Sequence, residues 1–161
     1  MKILIATDGS KFSDEAIDQC CRMVMRPERD DVLVVSAYED VMPISAEPFA
    51  LSSEYYQQMT DSLIELARTS LDAAKQKIAD HFSAVVPNIT TEVLRGPADM
   101  LIVERAKEWN ADLIVVGSHG RGFWGRLLGS VSNGVVHHAT CSVLVVRAPA
   151  EGSTNGHKDI K

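Results

Sequence analysis

The sequence predicts an α/β fold in which an open sheet of five parallel strands is wound on both faces by helices. Three observations carry that expectation. Five short apolar runs rich in Ile, Leu and Val recur along the chain, and segments of helical periodicity lie between them. Four of the runs are almost continuously apolar, as in strands covered on both faces. Strand and helix alternating throughout, joined by right-handed crossovers, give a doubly wound, Rossmann-like sheet, and the strand order expected is 3-2-1-4-5.

The first run, Lys2 to Thr7, ends in the polar bend Asp8-Gly9-Ser10. Behind a Ser13-Asp14-Glu15 start, Ile17, Cys20, Cys21 and Val24 recur at i, i+3, i+4, i+7 and mark the first helix. The second run is Val32 to Tyr38. An irregular stretch, Glu39 to Ser52 with prolines at 43 and 48, precedes a long helix from Ser53 to Phe82. Its stripe is Tyr55, Met59, Leu63, Leu66, Ala67, Ala74 and Ile78. The third run, Ile89 to Leu94, alternates apolar with polar, which suits an edge strand. Gly96-Pro97 opens a third helix, with proline at its first position and Asn110 as its C-terminal cap. Leu101, Ile102 and Trp109 should pack inward. The fourth run is Asp112 to Gly117, the fourth helix Ser130 to Ala139 with Val131, Val135 and His138 on one face, and the fifth run Ser142 to Arg147. The tail from Ala150 to Lys161, rich in Gly, Ser, Asn and Lys, is expected to be disordered, leaving one domain over residues 1–149.

The 161 residues suit one domain, with 45% apolar and 24% charged residues as in an average globular protein. A formal net charge of -6 opposes sequence-independent nucleic-acid binding, which needs a basic field. No run reaches the roughly 18 apolar residues of a membrane helix, and only four apolar residues precede the first polar bend, too few for a secretory leader. The three cysteines, Cys20, Cys21 and Cys141, are odd in number and include an adjacent pair, which fits a reducing cytoplasm. Cys20 and Cys21 fall on the apolar face of the first helix and read as core.

In such sheets ligands gather at the carboxyl ends of the strands, where the strand order reverses. Two polar strand exits contain glycine: Thr7-Asp8-Gly9-Ser10 and Gly117-Ser118-His119-Gly120. The second begins a glycine-dense loop running through Arg121, Gly122, Phe123, Trp124, Gly125, Arg126, Leu127, Leu128 and Gly129 into the helix at Ser130. Glycines let backbone N–H groups approach an anion, and a helix start adds donors and a favourable dipole. Phosphate is the natural guest, with Arg121 and Arg126 as positive charge. The same glycines also suit plain tight turns, and Ser130 a plain helix cap.

The opening ILIATDGS, the turn VVGSHGRG and the closing LLGSVSNGVVHHATCSVLVVR occur in that order. With them the chain resembles the universal stress protein family from Met1 to Pro149. In the ATP-binding branch of that family the loop reads Gly, two residues, Gly, nine residues, Gly, then Ser or Thr. Gly117, Gly120, Gly129 and Ser130 match, but eight residues separate Gly120 from Gly129. A loop shorter by one could move the helix start by up to about 3.5 Å, which Gly122 and Gly125 could absorb. The resemblance implies that ATP, carried with Mg²⁺, is held here. Val116, Gly117, His119, Gly120 and Arg121 would line the phosphate path, and Gly129, Ser130 and Val131 would meet phosphates. Asp8, beside Thr7, would approach the adenosine part, and Ala37 the base. The alternatives are an Asx-turn residue for Asp8, plain core for Ala37 and a polar loop filler for His119. Phe123 and Trp124 would cover a ligand or tuck beneath their own loop. Gly117→Val is expected to weaken ATP binding with the fold intact.

Other readings fare worse. A receiver domain needs an acidic cluster where Asp8 stands alone, and a dinucleotide dehydrogenase needs its glycines after the first strand. A P-loop needs Gly-Lys-Ser/Thr. His137 and His138 are neighbours on a helix and diverge, and no spacing marks a metal site. The expected function is therefore a cytoplasmic nucleotide-binding signalling module, at most a slow ATPase. The resemblance further implies a homodimer paired through the strand Ser142 to Arg147. The alternative is a member that holds no nucleotide and acts through dimerisation and protein partners.

Overall fold

A computed structural model of the chain describes residues 1–39, 53–82, 85–120 and 128–148. Five strands, β1 (Lys2–Ala6), β2 (Asp31–Tyr38), β3 (Asn88–Arg95), β4 (Leu113–Gly117) and β5 (Ser142–Val146), alternate with four helices. These are α1 (Lys11–Met23), α2 (Ser53–His81), α3 (Ala98–Trp109) and α4 (Ser130–His138). Every strand pair is parallel and the order is β3-β2-β1-β4-β5, as the sequence led us to expect.

Successive strand residues point to opposite faces, so a strand buried on both sides must be apolar at every position. Ile3 and Ile5 of β1, Val32 and Val34 of β2 and Val115 of β4 enter one core with Ile17 and Cys20 of α1 and Ala74 and Ile78 of α2. Leu4, Leu33, Val35, Ile114 and Val116 enter the other, against Ile102 and Ala106 of α3 and Val135 of α4. β3 lies at the sheet edge, as its alternation implies, with Leu94 its one buried residue. Cys20 and Cys21 are buried in the first core, where desolvation, with Cys21 and Asp30 nearby, pushes the Cys20 thiol up to about 12.

The helices depart from expectation at their ends. α1 starts earlier than Ser13, because the Ser10 hydroxyl accepts the Ser13 N–H at 3.3 Å and caps the helix at Lys11. Pro97 is the N-cap of α3 instead of its first helical residue, with ψ at 117°, whereas Asn110 closes the helix in the left-handed conformation as expected. In α2 the inward stripe is buried only over the second half, from Ala67 through Leu71 and Ala74 to Ile78, while Tyr55 and Leu66 are exposed. In α4, Val135 is fully buried but Val131 and His138 are exposed. Ser132 takes the buried place because its hydroxyl donates to Ser118 O at 2.9 Å, which turns the first residues of the helix toward the end of β4. The tail and most of the Glu39 to Ser52 stretch lie outside the described residues.

Candidate ligand site at the strand switch point

The chain winds outward from β1 to β2 and β3, then returns past β1 to β4 and β5, so the strand order reverses between β1 and β4. That reversal leaves a crevice outside the carboxyl ends of the two strands. A cavity of about 440 Å³ lies there, within the range of small-molecule sites.

Thr7 and Asp8, leaving β1, form its first wall. The Thr7 N–H donates to Val35 O at 2.9 Å, prolonging the β1–β2 ladder by one bond. The Thr7 hydroxyl accepts the Gly9 N–H at 3.1 Å and donates to Ser13 Oγ at 3.1 Å, and the Ser13 hydroxyl donates to Ser10 O at 2.9 Å. This chain of hydroxyls stiffens the bend that Gly9 makes with φ of 70°. Asp8 Oδ1 accepts the Ser10 N–H at 3.1 Å, so the Asx turn is present, and Asp8 lines the cavity as well. The Asx turn therefore leaves Asp8 at the cavity wall.

Gly117, His119 and Gly120, leaving β4, form the second wall. The walls touch: a Cβ added at Gly120 would stand 2.9 Å from Asp8 Oδ2. A Cβ at Gly117 would meet the backbone of α1, 2.7 Å from the carbonyl carbon of Phe12. The bare backbone at Gly117 therefore serves the packing of α1 on β4. Gly117→Val would press against that helix, so a cost in stability is expected beside any loss of binding, which the sequence alone did not suggest. His119 is buried, its ring tilted against Phe12 at 5.2 Å between centroids and its Nδ1 paired with Ser118 Oγ at 3.0 Å.

The start of α4 is tied to the same exit. Ser118 O accepts the Gly129 N–H at 2.8 Å and the Ser132 hydroxyl at 2.9 Å. The helix start is thus held beside β4 although the Gly120–Gly129 span is one residue short of the family spacing, and the Gly129 N–H is spent inside the protein. Gly129 is the N-cap and Ser130 the first helical residue, so Ser130 does not cap. α4 has neither a side-chain cap nor an acidic residue in its first turn. α1, by contrast, has Ser10 and Asp14, and α3 has Asp99. The positive end of the α4 dipole is left facing the cavity, which Gly129, Ser130 and Val131 line.

The rest of the lining is largely apolar: Ala6 and Val116 from the sheet centre, Val35 and Ala37 from β2, Ala98 and Ile102 from α3. All the expected site residues within the described chain therefore border one cavity, and Arg121, with Phe123, Trp124 and Arg126, lies outside the described residues. The sequence reading missed Ala6, Ser13, Val35, Ala98, Ile102, Leu128 and Ser132 as lining residues. A usable signal existed for Ala98, since a helix that follows a parallel strand starts at the ligand edge of the sheet. For Ser132 there was none, because its partner Ser118 is fixed only by tertiary structure.

Among the described residues no group of three or more His, Cys, Asp or Glu is arranged to hold a metal ion, and no helix is long and apolar enough to cross a membrane. An open parallel sheet with a crevice where its strand order reverses defines a doubly wound α/β domain. Residues 1–147 match the Universal stress protein family, and the chain belongs to that family. Universal stress protein MJ0531 of Methanocaldococcus jannaschii is similar, 37% identical over 150 residues that cover 92% of this chain and 82% of that protein. The solved universal stress protein UspA of Lactobacillus plantarum matches with a TM-score of 0.71 and 26% identity, over 91% of this chain and 97% of that one. A universal stress protein family member from Arabidopsis thaliana, solved with AMP bound, shares the fold at a TM-score of 0.62 and 18% identity, over 97% of each chain.

Proposed function

We propose that this chain binds an adenine nucleotide, ATP first, and works as a stress-response signalling module whose contacts change with nucleotide occupancy. The observation that carries the reading is a crevice in which a carboxylate, an apolar slot and a helix start without a side-chain cap face one another. A nucleotide presents the matching groups: ribose hydroxyls for Asp8, a flat base for Ala37, Val35 and Ile102, and phosphates for the Ser130 and Val131 N–H groups. Hydrogen bonds from those groups to an anion are worth about 1.5–3 kcal/mol each, and the α4 dipole adds about 0.3–1 kcal/mol. The AMP bound to the Arabidopsis relative supports the choice of an adenine nucleotide. Asp8 is the only carboxylate among the described lining residues, so Mg²⁺ would be held by the phosphates and not by a protein cage.

Phosphoryl transfer also needs a group that positions water or hydroxyl at the phosphate. Among the described lining residues the candidate bases are Asp8, whose Oδ1 already accepts the Ser10 N–H, and His119, buried against Phe12 with its Nδ1 engaged with Ser118 Oγ. The reading is therefore a binder with slow hydrolysis at most. In the same reading the outer edge of β5, half-buried at Val143, Leu144 and Val145, pairs with a second copy in the cytoplasm, where the three thiols stay free.

The test is to mix purified protein with ATP and measure both retained nucleotide and released phosphate. One nucleotide retained per chain, with little phosphate released, is expected. No retention at about millimolar ATP, a Kd weaker than about −4 kcal/mol of binding, would contradict it. That outcome would favour the second reading, a member acting through dimerisation and protein partners, whose support is the short span to Gly129 and the internal use of the Gly129 N–H. A monomer in sedimentation at micromolar concentration would remove the dimer from either reading.

A further inference from the structure

We infer that Gly120 acts on the ligand through Asp8: it is a positioning residue whose missing side chain leaves room for the Asp8 carboxylate, and not a backbone surface laid against phosphate. The inference rests on the proposed nucleotide site and assigns a cause to one of its glycines. Glycine is required either for a left-handed backbone or for space. Among the described residues the glycines with positive φ are Gly9 and Gly96, so the backbone at 120 accepts an L side chain without strain. Space is the remaining reason.

That space is defined by one residue. A methyl at 120 would stand 2.9 Å from Asp8 Oδ2 and 3.9 Å from Asp8 Cγ, with no other described heavy atom beyond its chain neighbours within 4 Å. The carboxylate cannot turn aside freely. Its other oxygen accepts the Ser10 N–H at 3.1 Å, and Ser10 in turn caps α1. Asp8 and Gly120 both line the cavity, so a methyl that displaces the carboxylate moves the group expected to meet the ribose. It reaches the phosphate end only indirectly.

A double-mutant cycle isolates this coupling. Gly120→Ala in the wild-type background should weaken ATP binding about fivefold, the equivalent of one net hydrogen bond, and lower the melting temperature of the ligand-free protein by about 3 °C. In an Asp8→Ala background the methyl meets no carboxylate, so Gly120→Ala should change affinity less than about twofold and melting less than about 1 °C. In an Asp8→Asn background, which keeps the bulk of the side chain, the melting penalty should return. A penalty of the same size in Asp8→Ala as in wild type would overturn the inference, since Gly120 would then be needed for a contact of its own. So would the absence of any penalty in wild type. The melting cycle decides the coupling in ligand-free protein, whereas failure of wild type to bind ATP would overturn the proposed function alone.

Discussion

Gly117→Ala is a perturbation whose size follows from the packing of α1 on β4. The added methyl would lie 2.7 Å from the Phe12 carbonyl carbon, 2.8 Å from its oxygen and 3.0 Å from its Cβ. Comfortable carbon contacts are about 3.5–4.0 Å, so the first turn of α1 must retreat by roughly 1 Å. No rotamer relieves this, because two of the three atoms are backbone. Forcing a methyl group into a packed contact costs about 1–3 kcal/mol, and for a domain of this size each kcal/mol lowers Tm by about 2–4 °C. A fall of roughly 2–12 °C is therefore expected on combining the two ranges. The retreating turn carries Ser10 and Ser13, which hold the Asp8 bend, so affinity for nucleotide falls together with stability. Thermal melts and urea titrations of the variant and the wild type measure both terms. An unchanged Tm would refute the reasoning and return Gly117 to the role of a pure ligand surface.

Further outcomes follow from other close contacts and shifted groups. Gly134→Ala should destabilise the fold although alanine favours helix by about 1 kcal/mol over glycine, because its methyl would stand 2.7 Å from Asp99 Cβ where α3 crosses α4; a gain in urea midpoint would contradict this. Desolvation, with Asp18 nearby, pushes the Cys21 thiol up to about 11, and Cys20 stands at about 12. The unfolded chain therefore releases these protons first, and stability should fall as pH rises above about 9. In native protein near pH 8, thiol labelling read by mass spectrometry should find Cys141 modified well before either core thiol. Burial raises the Asp18 carboxyl, but the bonds from His81 and Lys77 outweigh that and hold it below the ordinary carboxylate value. The stability this contributes is present above about pH 4 and is lost as pH falls through the lowered value. Asp18→Asn should flatten that acid limb by no more than about 1 kcal/mol, since the cluster is partly exposed.

The sheet was legible because its cause is local. Residues buried on both faces have to be apolar at every position, and Leu33 and Val34, adjacent in sequence, do enter different cores. The two exits that border the cavity were legible for the same reason, as polar glycine-containing breaks at the ends of apolar runs. What each glycine is for was not legible. Gly117 is bare because of Phe12, Gly120 because of Asp8 and Gly134 because of Asp99, and every partner is distant in sequence. The sequence presents Gly117 and Gly120 as similar glycines of one loop and Gly134 as a glycine within a helix, whereas the fold gives each a different obstacle. Helix ends misled for a smaller reason: Ser10 and Ser13 are both competent caps, and only the bend at Gly9 selects Ser10. The exposure of Val131 likewise depends on Ser132 reaching Ser118, a choice that periodicity cannot see.

The claim on which the functional account rests is that the end of β1, the end of β2 and the start of α4 receive one nucleotide. Backbone amide shifts of isotopically labelled protein during an ATP titration test it most directly. The expected result is that Asp8, Ala37, Ser130 and Val131 move together along one saturation curve, with the distal ends of α2 and β3 unmoved. Amides that stay still at about millimolar ATP, or that move only around α2 and β3, would contradict it.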